Sequence, residues 1–517
     1  MKKTQIALLG AFISFGAFAQ TSTEPIFLPN YYSVKISPNG KWMGSMTGGA
    51  TMYNIETGES FPYQEIYLGL GNTIADNGLT VGSLNDIAKI MSDGRSTTPV
   101  PLREFYFSEI SAITRDATRI TGIVNNPQPS ETSFIPFYCD LDEDGTVGEV
   151  HMLPYPELDF FNCAPQFVTA VWISDDGHTI IGQVLDWRGD YEYPIIYEED
   201  ANGEWKYSLP TKQYFNPEDI DIPFNPWLNE PVFPDAVDFM DLDSREIYEE
   251  ELANAVMGWG EYPDPLDYMT QEQVDEFIAA IDAYNEWFYS IQDKIDDYLD
   301  AYYFIVDSSP NFNANEMALH PNGEFCAFGG GYITDKENRN MSGRIFKFSG
   351  ENWDMEVLDI PINDLYPSQI LSDGTMVACT PMMSVPTTYL QLPGQDEFIY
   401  LADYLQGTHP TYAAWIEENL VNGCGLVSIS DDMEVYSGGI LFIHLNDLDE
   451  DSPEYDTYIF GKPGGAKVND LQIDGDTTYT VYNMQGILVM KTKDINDVNA
   501  LPKDIYLING KKFVVGK

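Results

Sequence analysis

Basic residues are scarce in this chain of 517 residues. Only 26 Lys and Arg stand against 82 Asp and Glu, so the formal net charge is −56 and the sequence pI is about 4.1. A surface this acidic repels phosphate backbones and anionic lipid headgroups. The charge balance therefore excludes nucleic acid as a natural partner.

Cysteine and histidine are also rare. Five cysteines exclude a disulfide-stapled scaffold and leave at least one thiol unpaired. We interpret Cys163, Cys326, Cys379 and Cys424 as buried free thiols. The five histidines have no metal-ligand spacing. No G-x-S-x-G, H-E-x-x-H, P-loop or dinucleotide fingerprint occurs, so the common signatures of hydrolases, zinc enzymes and nucleotide binding are missing.

Apolar runs long enough to span a bilayer are missing as well. Residues 1–19 instead have the features of a signal peptide. Lys2 and Lys3 precede a short uncharged apolar stretch, and Ala17 and Ala19 place small residues before a cleavage site. We therefore expect an exported protein, outside the cell or on its outer surface, with the periplasm as the alternative. The hydrophobic content of 44% predicts that most of the chain folds.

A ten-residue frame recurs seven times along the chain. Each copy has an apolar start, a turn and an alternating strand, and its fifth position is Gly in five copies, always after Asp or Asn. Asx-Gly supplies the left-handed residue of a tight hairpin, so each copy predicts strand–turn–strand. The copies lie at 36–45, 74–83, 113–122, 173–182, 319–328, 370–379 and 429–438.

A second hairpin pattern follows several copies, as at 134–154 and 193–210. Two hairpins per repeat make a four-stranded antiparallel sheet, which is one propeller blade. We therefore predict a mainly β fold with a seven-bladed β-propeller over residues 20–464. A stacked β-sandwich is the alternative. The frame resembles the extracellular propeller repeats of the HAF family and exported WD40-like propellers.

One gap between copies is anomalously long and holds residues 208–310. Apolar residues there predict helices at about 235–257 and 270–306, and a heptad seam runs along the second helix from Val274 to Ile305. We expect an acidic α-helical hairpin inserted in the propeller. It is either a packed hairpin with a solvated acidic face or a cap that offers a docking surface.

The C-terminal segment, 465–517, predicts a small β domain. It resembles the type A C-terminal sorting domain of type IX secretion in Bacteroidota. The matching residues are Tyr482, Asn483, Gly486, Val489, Leu501, Ile505, Tyr506 and 511–514. The resemblance implies contact with that secretion machinery and placement at the cell surface.

One loop has the spacing of a calcium site. Asp140, Asp142 and Asp144 alternate and are followed by Gly145, an arrangement that wraps oxygen ligands around Ca²⁺. An ordinary hairpin turn is the other interpretation. Calcium is the only cofactor that the sequence suggests, and no catalytic residue is assigned.

Trp187, Trp227 and Trp259 lie outside the repeat frame and either form a sugar-binding surface or pack in the interior. By contrast, Trp205 and Trp353 occupy matching places in two outer hairpins and predict blade packing.

We expect a non-catalytic propeller that binds an extracellular glycan or protein. The alternatives are a polysaccharide-degrading enzyme that uses carboxylates at the propeller funnel, or a structural scaffold that acts through the helical insertion.

Overall fold

The computed structural model describes the chain in segments. They are 25–29, 32–47, 51–62, 67–84, 87–92, 96–102, 105, 107–125, 134–142, 145–157, 161, 163–210, 225–256, 262–335, 340–362, 365–380, 387–419, 427–440, 456–461, 479–483, 488–492, 504–508 and 511–515.

Within 26–461, the described strands form seven antiparallel sheets, numbered here in chain order. Sheet 1 contains β2 (Tyr32–Ile36), β3 (Trp42–Thr47), β4 (Thr51–Asn54) and β5 (Glu59–Pro62). Sheet 2 contains β6 (Tyr67–Leu68), β7 (Thr80–Leu84), β8 (Ile87–Ser92) and β9 (Ser96–Pro99). Sheet 3 contains β10 (Ser108–Ile113), β11 (Arg119–Asn125), β12 (Phe134–Leu141) and β13 (Val147–Met152).

The remaining sheets repeat this plan. Sheet 4 contains β14 (Phe167–Val168), β15 (Trp172–Ile173), β16 (Thr179–Leu185), β17 (Glu192–Glu199) and β18 (Trp205–Ser208). Sheet 5 contains β19 (Asn311–Leu319), β20 (Phe325–Asp335), β21 (Asn340–Ser349) and β22 (Asp354–Leu358). Sheet 6 contains β23 (Tyr366–Ile370), β24 (Met376–Cys379), β25 (Thr388–Gln391) and β26 (Phe398–Tyr400). Sheet 7 contains β27 (Val427–Ile429), β28 (Val435–Ile440), β29 (Asp456–Gly461) and, at its outer edge, β1 (Ile26–Pro29).

Neighbouring sheets pack on one another in sequence order. Contacts join β3 to β6, β7 to β10, β12 to β14, β17 to β19, β19 to β23 and, at the end of the series, β28 to β2. Gln369 of sheet 6 exchanges hydrogen bonds with the backbone of Ile429 in sheet 7. A closed ring of antiparallel sheets is a β-propeller, which confirms the predicted fold class.

The N-terminal strand β1 completes sheet 7 from the other end of the chain. It pairs antiparallel with β29, and Ile26 lies opposite Ile459. Strands from both ends of the ring therefore share one sheet, and their backbone hydrogen bonds hold the ring closed.

The turn inside each copy of the ten-residue frame has the predicted left-handed residue. The φ angles are 69° at Gly40, 88° at Gly78, 63° at Ala117, 76° at Gly177, 71° at Gly323, 89° at Gly374 and 55° at Met433. The Asn or Asp before this residue accepts hydrogen bonds inside the turn. For example, Ser174 Oγ and the His178 N–H both donate to Asp176 Oδ1. This geometry also forms where the Gly is replaced, at Ala117 and Met433.

The hydrophobic core lies between the sheets. Every residue of β16 is buried, because a central strand of a blade is covered by neighbouring sheets on both faces. Cys139, Cys163, Cys326 and Cys379 are buried and form no disulfide in the described part of the chain, as predicted for three of them. Cys424 lies outside the described residues.

Five α-helices occur between the propeller strands in the described part of the chain. They are α1 (Leu242–Val256), α2 (Gln271–Ser290), α3 (Gln292–Ser308), α4 (Leu401–Thr408) and α5 (Pro410–Asn419). Short 3-10 helices lie at Pro226–Asn229, Ala236–Phe239 and Pro265–Tyr268.

The predicted helix 270–306 is two helices, which corrects the sequence interpretation. The break is at Ile291, which has φ −114° and ψ 7°. The Ser290 hydroxyl donates to the Trp287 carbonyl oxygen over 2.6 Å, and such local bonds compete with the helical ladder. Downstream of the break, α3 packs against the propeller core.

The C-terminal region forms a separate sheet in the order β31-β30-β32-β33. Its strands are β30 (Tyr479–Asn483), β31 (Leu488–Thr492), β32 (Asp504–Ile508) and β33 (Lys511–Val515). This is the small C-terminal β domain expected from the sequence.

Candidate functional site

The turns of the seven sheets meet at one end of the propeller axis. Backbone hydrogen bonds join neighbouring turns, from the Asp76 N–H to Arg115 O at 2.9 Å and from the Asp431 N–H to Pro38 O at 2.9 Å. The Asp175 N–H donates likewise to Pro321 O at 2.6 Å. We call the second residues of these turns the axial rim. They are Pro38, Asp76, Arg115, Asp175, Pro321, Ser372 and Asp431.

Arg115 is the centre of the axial rim. Its Nε lies 2.6 Å from Asp76 Oδ2 in sheet 2, and its Nη1 contacts Asp431 Oδ2 in sheet 7. Nη1 is also 3.4 Å from Ser372 Oγ in sheet 6. One guanidinium from sheet 3 thus reaches three sheets, two of them on the far side of the ring. The side chain keeps 31% of its surface exposed, so this end of the axis is in contact with solvent.

Asp175 is the third carboxylate of the axial rim. Burial raises its pKa to about 6; Arg115 opposes the rise, and the neighbouring Asp431 and Asp76 carboxylates reinforce it. The axial rim therefore combines three carboxylates with one guanidinium. Ion-paired carboxylates accept hydrogen bonds, while a carboxyl group with a pKa near 6 also donates a proton in mildly acidic conditions.

A second polar cluster joins sheet 1 to residues 69–71. Lys35 Nζ donates to the carbonyl oxygens of Gly69, Leu70 and Gly71 at 2.7, 2.5 and 2.5 Å. Burial lowers the pKa of Lys35 to about 7, and the negative charge of Glu109 opposes this effect. Burial in turn raises the pKa of Glu109, and Lys35 opposes that rise.

Residues 69–72 run along the free edge of β10. The Gly71 N–H donates to Ser111 O at 3.1 Å, and the Ile113 N–H donates to Asn72 O at 2.7 Å. A Cβ on Gly71 would lie 2.0 Å from the Val171 carbonyl oxygen of sheet 4, so only glycine fits there. Lys35 supplies hydrogen-bond donors to three successive carbonyls of this segment.

The predicted calcium ligands have different surroundings. Asp140 Oδ1 lies 2.6 Å from Arg119 Nε. Asp142 forms the turn through its backbone, since its carbonyl accepts from the Gly145 N–H at 2.8 Å. Asp144 lies outside the described residues. The described residues contain no group of three His, Cys, Asp or Glu that could hold a metal ion, so the calcium loop stays a prediction.

The tryptophans outside the repeat frame pack together. The rings of Trp187 and Trp227 lie 5.3 Å apart, and both contact Tyr298 of α3, at 6.0 and 6.1 Å. These rings belong to the packing that attaches α3 to sheet 4. The packing interpretation therefore applies to Trp187 and Trp227, while Trp259 lies outside the described residues.

The outer-hairpin tryptophans contribute to blade packing, as predicted. Trp353 is buried and its Nε1 donates to Glu198 Oε2 across the boundary between sheets 5 and 4, at 3.0 Å. Trp205 packs on Tyr138 of sheet 3, with ring centroids 5.1 Å apart.

The sequence interpretation missed Arg115 and Lys35. A usable signal was present for Arg115, because it is the only basic residue at the second turn position of the seven copies. Nothing comparable marks Lys35, whose partners lie 34 to 36 residues away.

No protein-family profile and no curated protein sequence matches this chain. Similar solved structures include a prolyl endopeptidase (7% identity, TM-score 0.37, covering 72% of this chain and 40% of that one). The structure of U3-55K is 7% identical with TM-score 0.38, and the match covers 85% of this chain and 99% of that one. The β-propeller domain of the Trilobed protease from Pyrococcus furiosus is 9% identical with TM-score 0.31 and coverages of 80% and 80%.

This chain thus spans less than half of the length of the prolyl endopeptidase. At these scores the matches carry no inference about function, and the propeller architecture rests on the strand pairing and sheet contacts described above. Among the described helices, none is long and apolar enough to cross a membrane.

Proposed function

We propose that this protein is an exported, non-catalytic binding protein that holds an extracellular ligand, a glycan or a protein, at the axial rim. The observation that carries the proposal is the convergence of Asp76, Asp175 and Asp431 around the single guanidinium of Arg115. Carboxylates in excess over cations accept hydrogen bonds from sugar hydroxyls or from the amino and guanidinium groups of a protein.

The rigidity of the axial rim supports binding. Backbone hydrogen bonds between turns and the Arg115 ion pairs hold these side chains before any ligand arrives. A pre-organised site loses little conformational entropy on association, and rigid scaffolds that carry functional loops exploit this.

Export is supported by the sequence alone. Residues 1–19 have the features of a signal peptide, and 465–517 resemble a type IX sorting domain. We propose an extracellular or outer-surface location, with the periplasm as alternative, and recognition of the C-terminal segment by the secretion machinery. Ca²⁺ held by Asp140, Asp142 and Asp144 remains part of the proposal as a ligand-bridging or loop-ordering ion.

A polysaccharide-degrading enzyme is the second candidate, and Asp175 favours it. A carboxyl group with its pKa raised to about 6, beside two carboxylates paired with Arg115, has the properties of a general acid. Catalysis would additionally require a second carboxylate that acts on the same bond.

A glycan array with the full chain tests the proposal. We expect the natural chain to bind one sugar class. Asp175→Asn removes one acceptor carboxylate and should bind the same sugars about tenfold more weakly. Asp176→Asn is the matched control, because Asn occupies the equivalent turn position in sheets 1, 2 and 5. The array is run in calcium and again with chelator, and calcium dependence would implicate Asp140, Asp142 and Asp144.

Retained sugars are then incubated with the protein and analysed for cleavage. Turnover that Asp175→Asn abolishes while binding persists would establish the enzyme and contradict a non-catalytic role. An array that stays blank in both conditions would eliminate the glycan and leave a protein ligand.

A further inference from the structure

One segment of the helical insertion leaves most of its apolar side chains partly exposed to solvent. We call residues 231–290 the arm. In the described part of the arm, the buried apolar residues are Met240 and Ala255. None of the twenty residues of α2 is buried, although its Thr270 capping box and its apolar stripe define a stable amphipathic helix.

The stripe on α2 is aromatic. We call Phe277, Ile281, Tyr284, Trp287 and Phe288 the α2 ridge; all five side chains are half-buried. Two aromatic rings of the arm cover them in part. Phe239 lies 5.4 Å from Phe277, and Phe233 lies 4.9 Å from Tyr284, between ring centroids. Phe233 itself is 58% exposed.

The same seam has a different environment beyond Ile291. There Ile295 is buried, and Tyr298, Tyr302 and Ile305 pack in the core of the propeller. Tyr298 Oη donates to the Phe161 carbonyl oxygen at 3.1 Å, which fixes α3 to the region before sheet 4. The α3 half of the seam is thus fully buried, whereas every residue of the α2 ridge keeps part of its surface in solvent.

The negative charge of the arm indicates which kind of partner fits the α2 ridge. The arm contains 16 Asp and Glu and one basic residue, Arg245. Arg245 is already paired with Glu249 one turn along α1, at 2.7 Å. Exposed acids such as Asp275, Asp282 and Glu286 flank the ridge on the same helix. A second copy of the chain would bring two strongly negative arms together, and their repulsion opposes self-association.

We propose that the α2 ridge docks a protein partner through a basic amphipathic helix, with apolar side chains on the ridge and Lys or Arg beside the arm's carboxylates. Helix-in-groove recognition uses this combination of an apolar stripe and flanking charge complementarity. This interaction is separate from ligand binding at the axial rim.

The test uses the full chain and a fluorescein-labelled 18-residue helical peptide of Leu and Lys with one apolar stripe. One comparison peptide replaces Lys by Glu, and the other replaces Leu by Ser. By fluorescence anisotropy we expect the Leu/Lys peptide to bind at least about tenfold more tightly than either. The affinity falls when salt is raised, because screening weakens the charge contacts.

Variants locate the binding. Tyr284→Ala with Trp287→Ala should weaken the Leu/Lys peptide by about tenfold or more. Ile87→Ala with Val357→Ala is the matched control, since both residues are apolar and 44% exposed but lie on sheets 2 and 5. Asp282→Lys with Glu286→Lys keeps the ridge and reverses two charges, so it should weaken the Leu/Lys peptide and favour the Leu/Glu peptide. Glu351→Lys with Glu356→Lys is its control on sheet 5.

Three outcomes would overturn the proposal. If the peptide with Ser in place of Leu binds as tightly as the Leu/Lys peptide, the apolar ridge has no part in binding. Unchanged affinity in both arm variants would place the binding elsewhere. Concentration-dependent dimerisation that the ridge variant abolishes would make a second copy the occupant. The arm variants leave Asp175 and Arg115 intact, so they should still bind the glycan. Glycan binding by these variants therefore tests the axial rim separately from peptide binding at the α2 ridge.

Discussion

Arg115 and Asp175 show how single residues in the axial rim balance function against stability. Arg115 neutralises Asp76 and Asp431 directly, whereas Asp175 is held near them at a pKa of about 6 because of burial. A carboxylate kept in an unfavourable environment costs stability when it ionises, and such residues concentrate at functional sites.

The pH dependence of stability follows from this raised pKa. Asp175 binds its proton more tightly in the folded state, so its contribution to stability is present below about pH 4 and is lost as the pH rises through about 6. Asp175→Asn should therefore be more stable than the natural chain at pH 7, by about 1–3 kcal/mol, and should lose that advantage near pH 4.

Urea midpoints at the two pH values measure the difference, with Asp176→Asn as the control in the same turn. An Asp175→Asn protein that is less stable than the natural chain at pH 7 would mean that the carboxylate stabilises the axial rim.

At the scale of elements, the strands and turns follow local sequence, while the irregular segments follow the packing. The left-handed φ of Gly177 and of Ala117 arises in the same hairpin geometry, although only one of them is glycine. Residues 69–72 have no regular pattern, and their course depends on β10 and on Lys35. The break at Ile291 separates α2, which has no buried residue, from α3, which packs on the propeller core.

Gly71→Ala tests the course of residues 69–72. The added Cβ would meet the Val171 carbonyl oxygen at 2.0 Å, so backbone must shift, and we expect destabilisation of about 3 kcal/mol or more. Gly407→Ala is the control, because its Cβ meets nothing within 4 Å and Ala favours helix α4.

Thermal unfolding of both variants gives the comparison. A lowered Tm for Gly71→Ala together with an unchanged or raised Tm for Gly407→Ala is expected. Equal Tm values would show that residues 69–72 adapt without cost.

At the scale of the whole molecule, ring closure joins the ends of the propeller. Strand β1 supplies the outer edge of sheet 7, next to β29, more than 400 residues away in sequence. The sequence interpretation assigned no strand there, because four residues carry too little pattern to identify a strand.

Removing β1 should open the ring. A chain that begins at residue 31 exposes the edge of β29, so we expect a lower Tm and aggregation through the unpaired strand. Size-exclusion chromatography and thermal unfolding check this against a chain that begins at residue 20. Identical Tm and elution would show that the ring closes without β1.

The sequence by itself determined the hairpins of the propeller, the acidic character and the strands of the C-terminal sheet. Each of these depends on contacts between residues a few positions apart, or on composition. The spacing of apolar residues at Leu401, Leu405, Tyr412 and Ile416 also carries a helical signal for α4 and α5.

Only the tertiary structure decided the axial rim, the closure by β1 and the half-covered α2 ridge. Arg115 and Asp431 are 316 residues apart, and nothing local to either residue encodes their contact. They meet because seven similar turns are brought around one axis. The side chains at a shared turn position then acquire partners, burial and a pKa that depend on the neighbouring turns.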